Sequence, residues 1–156
     1  MRVPFCPTRY KTYDSPGKEA LVSLLEQWGH EVLNVEENYL ADITSSKDGV
    51  EHYSEAEVKS AWAGDWPEKW KEVRLPGRKL RLLKKHPEVT FYIFSNKCDR
   101  VWVIEKDQLT LENLKPAYGP GIYRGENFFH VPAKEIRQLH FREGSWVDVV
   151  YPEGFC

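Results

Sequence analysis

The sequence predicts a mixed α/β fold, a mixed β-sheet flanked by helices, and three observations carry that prediction. Leu21, Leu24, Leu25 and Trp28 recur at i, i+3, i+4 and i+7, the period of an amphipathic helix. Residues 89–94 and 100–104 are short β-branched and aromatic runs parted by the turn residues 95–99, a hairpin pattern. Between helix and hairpin, Asp48-Gly49 marks a second hairpin, because that pair accepts the positive φ angles of a tight turn.

Taken in order, residues 1–16 hold three prolines without a clear period and read as an extended arm. Asp14-Ser15-Pro16-Gly17 is turn chemistry, with Asp14 or Ser15 able to cap a helix. The first helix runs from Lys18 to Trp28 and stops at Gly29. Residues 31–36 are extended. A strand from Tyr39 to Thr44, a polar turn over 45–49 and a returning strand from Val50 to Ala61 make the first hairpin, with Asp42 close to the connecting turn. Residues 62–75, which carry Trp62, Trp66 and Trp70, read as irregular or loosely helical. Pro76 suits a helix start, and a basic helix over 77–85 comes next, which Pro87 helps to end. After the 89–104 hairpin come a loop at Gly119-Pro120-Gly121, a strand near 128–131, a helical turn over 133–139 and a last strand over 146–151. No repeat or linker divides the chain, so residues 1–156 read as a single domain.

Composition bounds the function. The chain is 41% hydrophobic and 29% charged, enough for a core and unlike a disordered chain. A net charge of −2 gives no bulk signal for nucleic acid, but acids clustered at a metal site would cancel basic residues elsewhere in that sum. Cys6, Cys98 and Cys156 are odd in number and lack metal-ligand spacing, which fits a reduced, intracellular chain. No stretch resembles a signal peptide, and no apolar run approaches the roughly 18 residues of a membrane span. The expectation is an intracellular, cytoplasmic protein without a membrane partner, in the host cell if the chain is viral.

The chemistry centres on the hairpin. Alternation puts Glu57 and Lys59 on one face of the returning strand, Ala56 and Val58 on the other, and hairpin pairing brings Asp42 beside Glu57. Two carboxylates held together raise one another's pKa unless a cation intervenes, and a hard divalent ion such as Mg²⁺ is suited to oxygen ligands. Acid-x-Lys is a short motif, and its bland reading is a solvated strand face with a cross-strand ion pair. It occurs once in this chain, at Glu57-Val58-Lys59.

Helix, Asp-bearing strand, Ala56-Glu57-Val58-Lys59 strand, helix and strand together resemble the core of the PD-(D/E)xK nuclease superfamily, over about residues 17–104. The remainder, 105–156, forms a C-terminal extension that matches nothing in that core. The resemblance implies a restriction endonuclease-like core and a Mg²⁺-dependent endo- or exodeoxyribonuclease, with Mn²⁺ able to substitute. It implies that Asp42 and Glu57 bind metal, that Lys59 assists the nucleophile and that Glu19, in the first helix, adds a further acid; Glu26 lies further along. Ala41 stands where the family name has Pro. Glu36 and Glu37 are accessory acids or solvated charges.

The partner implied is nucleic acid, DNA first, and a homodimer is in keeping with nucleases of this kind. Arg78, Arg81 and Lys85 share one face of the basic helix, with Lys79 adjacent and Arg74 a turn earlier; they either hold phosphates or form a solvated face. The three tryptophans either stack on bases or pack. The five histidines are scattered and form no metal-spaced pair or hydrolase triad. The alternative is a catalytically inactive nuclease-fold protein that binds nucleic acid or a protein partner.

Overall fold

The structure, a computed structural model, describes residues 15–35, 42–77, 84, 89–117 and 126–149. One complete α-helix stands among them, α1 (Ser15–Gln27). Its apolar stripe is the expected one: Leu21, Leu24 and Leu25 are fully buried, each contributing roughly 1.5–3 kcal/mol of burial. The helix closes with His30 N–H donating to the Leu25 carbonyl and Gly29 N–H to that of Glu26, the paired bonds of a Schellman stop.

Ten strands are found among the described residues. The first three are β1 (Glu31–Asn34), β2 (Ile43–Lys47) and β3 (Val50–Val58). Next come β4 (Glu72–Pro76), β5 (Val89–Phe94) and β6 (Arg100–Ile104). The C-terminal third supplies β7 (Leu114–Pro116), β8 (Asn127–Pro132), β9 (Arg137–Arg142) and β10 (Ser145–Asp148). Seven make a mixed sheet in the order β1-β2-β3-β5-β6-β9-β10, and three make a second sheet in the order β4-β8-β7. The fold is therefore mixed α/β, as the sequence predicts.

The large sheet buries both faces. On one side α1 packs over Ile43, Tyr92, Phe94, Val101, Val103, Leu139 and Trp146. On the other, Trp62, Phe91, Ile93, Trp102 and Ile104 meet Val73, Leu75, Phe129 and Val131 of the small sheet. Among the described residues this second layer is a sheet, where the sequence suggested flanking helices.

The β2–β3 hairpin turns at Asp48 (φ 52°) and Gly49 (φ 78°), two consecutive positive φ angles that match the twist of the flanking strands. That two-residue turn locks Lys47 opposite Val50 and Ile43 opposite Ser54. β3 then pairs in parallel with β5, Glu57 lying beside Ile93. A parallel pair needs a long crossover, and residues 59–88 supply it, including β4 and the helical Lys84. The expected pairing of β5 with β6 is antiparallel as predicted.

Four expectations are corrected. Residues 72–76 form strand β4 where an irregular or loosely helical stretch was expected, so Arg74 lies on a sheet; alternating Val73 and Leu75 bury one face, a period of two. Residues 137–142 form β9, with Gln138, Leu139 and His140 buried, and the helical turn stops at Glu135. Ser45 to Lys47 belong to β2, and the turn is only Asp48-Gly49, so Asp42 lies at the far end of the hairpin from the turn.

The C-terminal extension, finally, is built into the core. β9 pairs with β6, β8 pairs with β4, and α1 grips β10 through Gln27 and Ser23, which hydrogen-bond the backbone and indole of Trp146.

Candidate functional site

The site begins where β2 begins. One step beyond the Ile43–Ser54 pair, Asp42 stands across from Glu55, and two side chains extend the ladder there. Asp42 N–H donates to Glu55 Oε2 at 2.9 Å, and Ala56 N–H donates to Asp42 Oδ2 at 2.9 Å. The Asp42 side chain is 12% exposed, and Lys18 Nζ of α1 lies 3.8 Å from its Oδ1.

Glu57 is two residues past Glu55 on the same strand face. Extending the Ile43–Ser54 register by one step makes it the diagonal neighbour of Asp42, a separation of roughly 7–8 Å in a regular antiparallel pair. Its Oε2 is buried and has no hydrogen-bond partner among the described residues. Lys59 N–H donates to the Phe94 carbonyl at 2.9 Å, so the parallel ladder runs one residue past β3 and carries Lys59 onto the Glu57 face. Lys59 is half-buried and makes no ion pair among the described residues. Ala56 and Val58 point the other way and pack under α1, as alternation predicts.

Close packing seats α1 on this end of the hairpin. A Cβ on Gly17 would stand 2.7 Å from Val58 Cγ2, so only glycine lets the first helical turn lie against β3. This contact brings Lys18 to Asp42. Glu19, the helix residue expected to reach the site, is exposed instead, because the residue after Lys18 is rotated about 100° around the helix. Among the described residues, no three His, Cys, Asp or Glu side chains gather closely enough to hold a metal together.

The donors that are present suit a hard divalent ion. They are carboxylate oxygens, one of them buried and without a donor, beside a lysine outside any ion pair among the described residues. Glu36 and Glu37, the other acids considered, lie outside the described residues, as do Arg78, Lys79, Arg81 and Lys85. Arg74 is exposed on the outer face of the small sheet, its Nε 3.7 Å from Glu72 Oε2. Glu72 in turn accepts from His130 Nδ1 at 2.8 Å, and that hydrogen bond, with help from Arg74, holds its carboxyl below the usual range.

No protein-family model and no curated protein matches the chain.

Three groups near the site or the core carry no signal in the sequence. Glu55 is not singled out there, yet it closes the ladder onto Asp42; only the register reveals it. Lys18 reads only as a helix start. His30 and His52 are far apart in the chain but meet beside Ser45, ring centroids 4.8 Å apart, with His30 Nδ1 2.9 Å from Ser45 Oγ. Burial first, then His52 and Lys47, hold the His30 imidazole below its ordinary pKa.

The tryptophans pack. Trp62 is fully buried, stacks on Trp102 and meets Trp66 edge to face at 5.0 Å, while Trp66 Nε1 donates to the Trp70 carbonyl at 2.6 Å. Among the described residues, no helix is long and apolar enough to cross a membrane.

Proposed function

We propose that the chain is a metal-dependent nuclease hydrolysing phosphodiester bonds, with DNA as the first substrate to test. The carrying observation is the hairpin end where Asp42 meets Glu55, with Glu57 and Lys59 further along the Glu55 face and Glu57 presenting a buried oxygen without a donor among the described residues. Buried carboxylate oxygens without hydrogen bonds are costly, and a site that binds a cation is a physical reason to keep one. The strand order supports the same reading: α1, a β1-β2-β3 meander and a parallel β5 beside β3 follow the element order of a PD-(D/E)xK-like, restriction endonuclease-like core.

In this reading Asp42 and Glu57 hold Mg²⁺ or Mn²⁺, and Glu55 fixes the Asp42 backbone so that its carboxylate faces the hairpin. When bound, the ion supplies Lewis-acid stabilisation of phosphate charge and a more acidic water. Lys59 orients the attacking water and places a positive charge where negative charge develops on the phosphoryl oxygens. Glu19 is not needed for this set, since its exposed position leaves it outside the pair.

The test is cleavage of linear and branched DNA by purified protein in Mg²⁺, with EDTA and Lys59→Ala as controls. Loss of cleavage in both controls is expected; cleavage that survives Lys59→Ala and EDTA would overturn the assignment. One observation favours a second reading, a nuclease fold that binds nucleic acid without cutting: Asp42 already has its oxygens directed at Ala56 N–H and the Lys18 ammonium. That reading predicts DNA binding that neither Mg²⁺ nor Lys59→Ala changes.

A further inference from the structure

We infer that Lys18 is a resident cation competing with the divalent ion for Asp42, so that this lysine sets the metal affinity of the site. The inference rests on the metal-site reading and concerns its regulation. Lys18 and Asp42 are both 12% exposed at their side chains, and Nζ stands 3.8 Å from Oδ1. That separation exceeds the roughly 2.7–3.2 Å of a direct hydrogen bond, so the contact is principally charge against charge in a site with little solvent screening. The other Asp42 oxygen is tied to Ala56 N–H at 2.9 Å. A divalent ion approaching Asp42 therefore meets Oδ1 with an ammonium already beside it.

The placement is built in, not incidental. Gly17 lets α1 lie close on Val58, which seats the helix's first turn over the hairpin end and holds the Lys18 ammonium near Asp42. Glu55 and Glu57 add negative charge along the same strand face, and Lys59 adds a second positive charge past its end. With metal absent, Lys18 offsets the carboxylates; with metal present, its charge opposes the ion. Entry of the ion then requires Lys18 to swing aside, which makes the site respond to ion concentration instead of being saturated at all times.

The experiment is isothermal titration calorimetry of the full chain with Mn²⁺ alone, without nucleic acid, on wild type, Lys18→Met and Lys18→Arg, each checked by circular dichroism. Lys18→Met keeps the aliphatic stem and removes the charge, and should tighten Mn²⁺ binding about tenfold or more. Lys18→Arg keeps the charge and should stay within about threefold of wild type. If wild type binds and Lys18→Met binds equally or more weakly, the competition is refuted while the metal site stands. Tightening by Lys18→Arg equal to that of Lys18→Met would also refute it, since shape and not charge would then be responsible. If neither wild type nor Lys18→Met binds Mn²⁺ at millimolar concentration, the metal-site reading fails together with the competition.

Discussion

The tryptophan cluster and the Asp42–Lys59 strip lie on neighbouring parts of the same chain, and both have the residue types of a ligand-binding feature. They differ in the kind of atom left over: among the described residues each keeps a buried polar atom without a hydrogen-bond partner, the indole Nε1 of Trp62 in the cluster and Oε2 of Glu57 in the strip, and only the carboxylate oxygen attracts a cation. Trp62, Trp66, Trp70 and Trp102 close on one another with centroid distances of 5.0–6.0 Å, and Trp62 has no exposed surface left. The strip retains a buried Glu57 oxygen without a donor and a lysine outside any ion pair among the described residues. Aromatic rings satisfy one another by packing, whereas like-charged carboxylates along one strand face need a cation to be at ease. The contrast separates a core from a candidate site more sharply than residue type does.

The largest expected effect tests the packed half of that contrast. Trp62→Ala should destabilise the fold by about 3–5 kcal/mol in chemical denaturation, the range for large-to-small changes at a fully buried aromatic. If stability held and single-stranded DNA binding disappeared instead, the cluster would be a stacking surface and the comparison would break.

Next comes Asp42→Asn. Asparagine can still accept from Ala56 N–H, so the melting temperature should move by only a few degrees. Mg²⁺-dependent cleavage should fall on the order of 10²–10³-fold, the range seen when one preorganised electrostatic group is removed. Equal cleavage by the variant would mean that the strip is a solvated face after all.

Gly17→Ala should cost about 1–3 kcal/mol, because its Cβ would meet Val58 at 2.7 Å and a β-branched valine cannot fold out of the way. The same substitution should weaken the ordering of Lys18 over Asp42. A neutral result in chemical denaturation would show that α1 is seated by Leu21, Leu24 and Leu25 alone.

The smallest effect is with pH. Burial holds His30 and His140 below the ordinary histidine value near 6.5. The unfolded chain therefore takes up protons near pH 6.5 while the folded chain still excludes them. Stability should fall as pH drops through about 6.5, the loss ending once the folded-state pKa values are passed. His30→Gln should flatten part of that slope in melting curves recorded between about pH 7.5 and 5.5; an unchanged slope would assign it elsewhere.

How much of this was legible varies by element. The α1 stripe, the Asp48-Gly49 turn and the 89–104 hairpin were readable because each is a local pattern: a helical period, two positive φ angles, and β-branched runs with a turn between. β4 was missed because its partner β8 lies far away in sequence, and β9 because one partner, β6, is distant while the turn to the other, β10, is Glu143-Gly144, without the Asp-Gly or Asn-Gly signature of a tight hairpin. The site was half legible. Alternation correctly put Ala56 and Val58 under α1. It could not say that the register faces Asp42 to Glu55, nor that Gly17 admits Lys18 in place of Glu19, because both depend on how α1 is seated on the hairpin.

The most direct measurement of the central claim is a crystal soaked in Mn²⁺ and read by anomalous scattering. The account predicts a peak within about 2.0–2.6 Å of carboxylate oxygens from both Asp42 and Glu57, with the Lys18 ammonium moved off Oδ1. A soaked crystal with no peak there, and Lys18 still paired to Asp42, would contradict it.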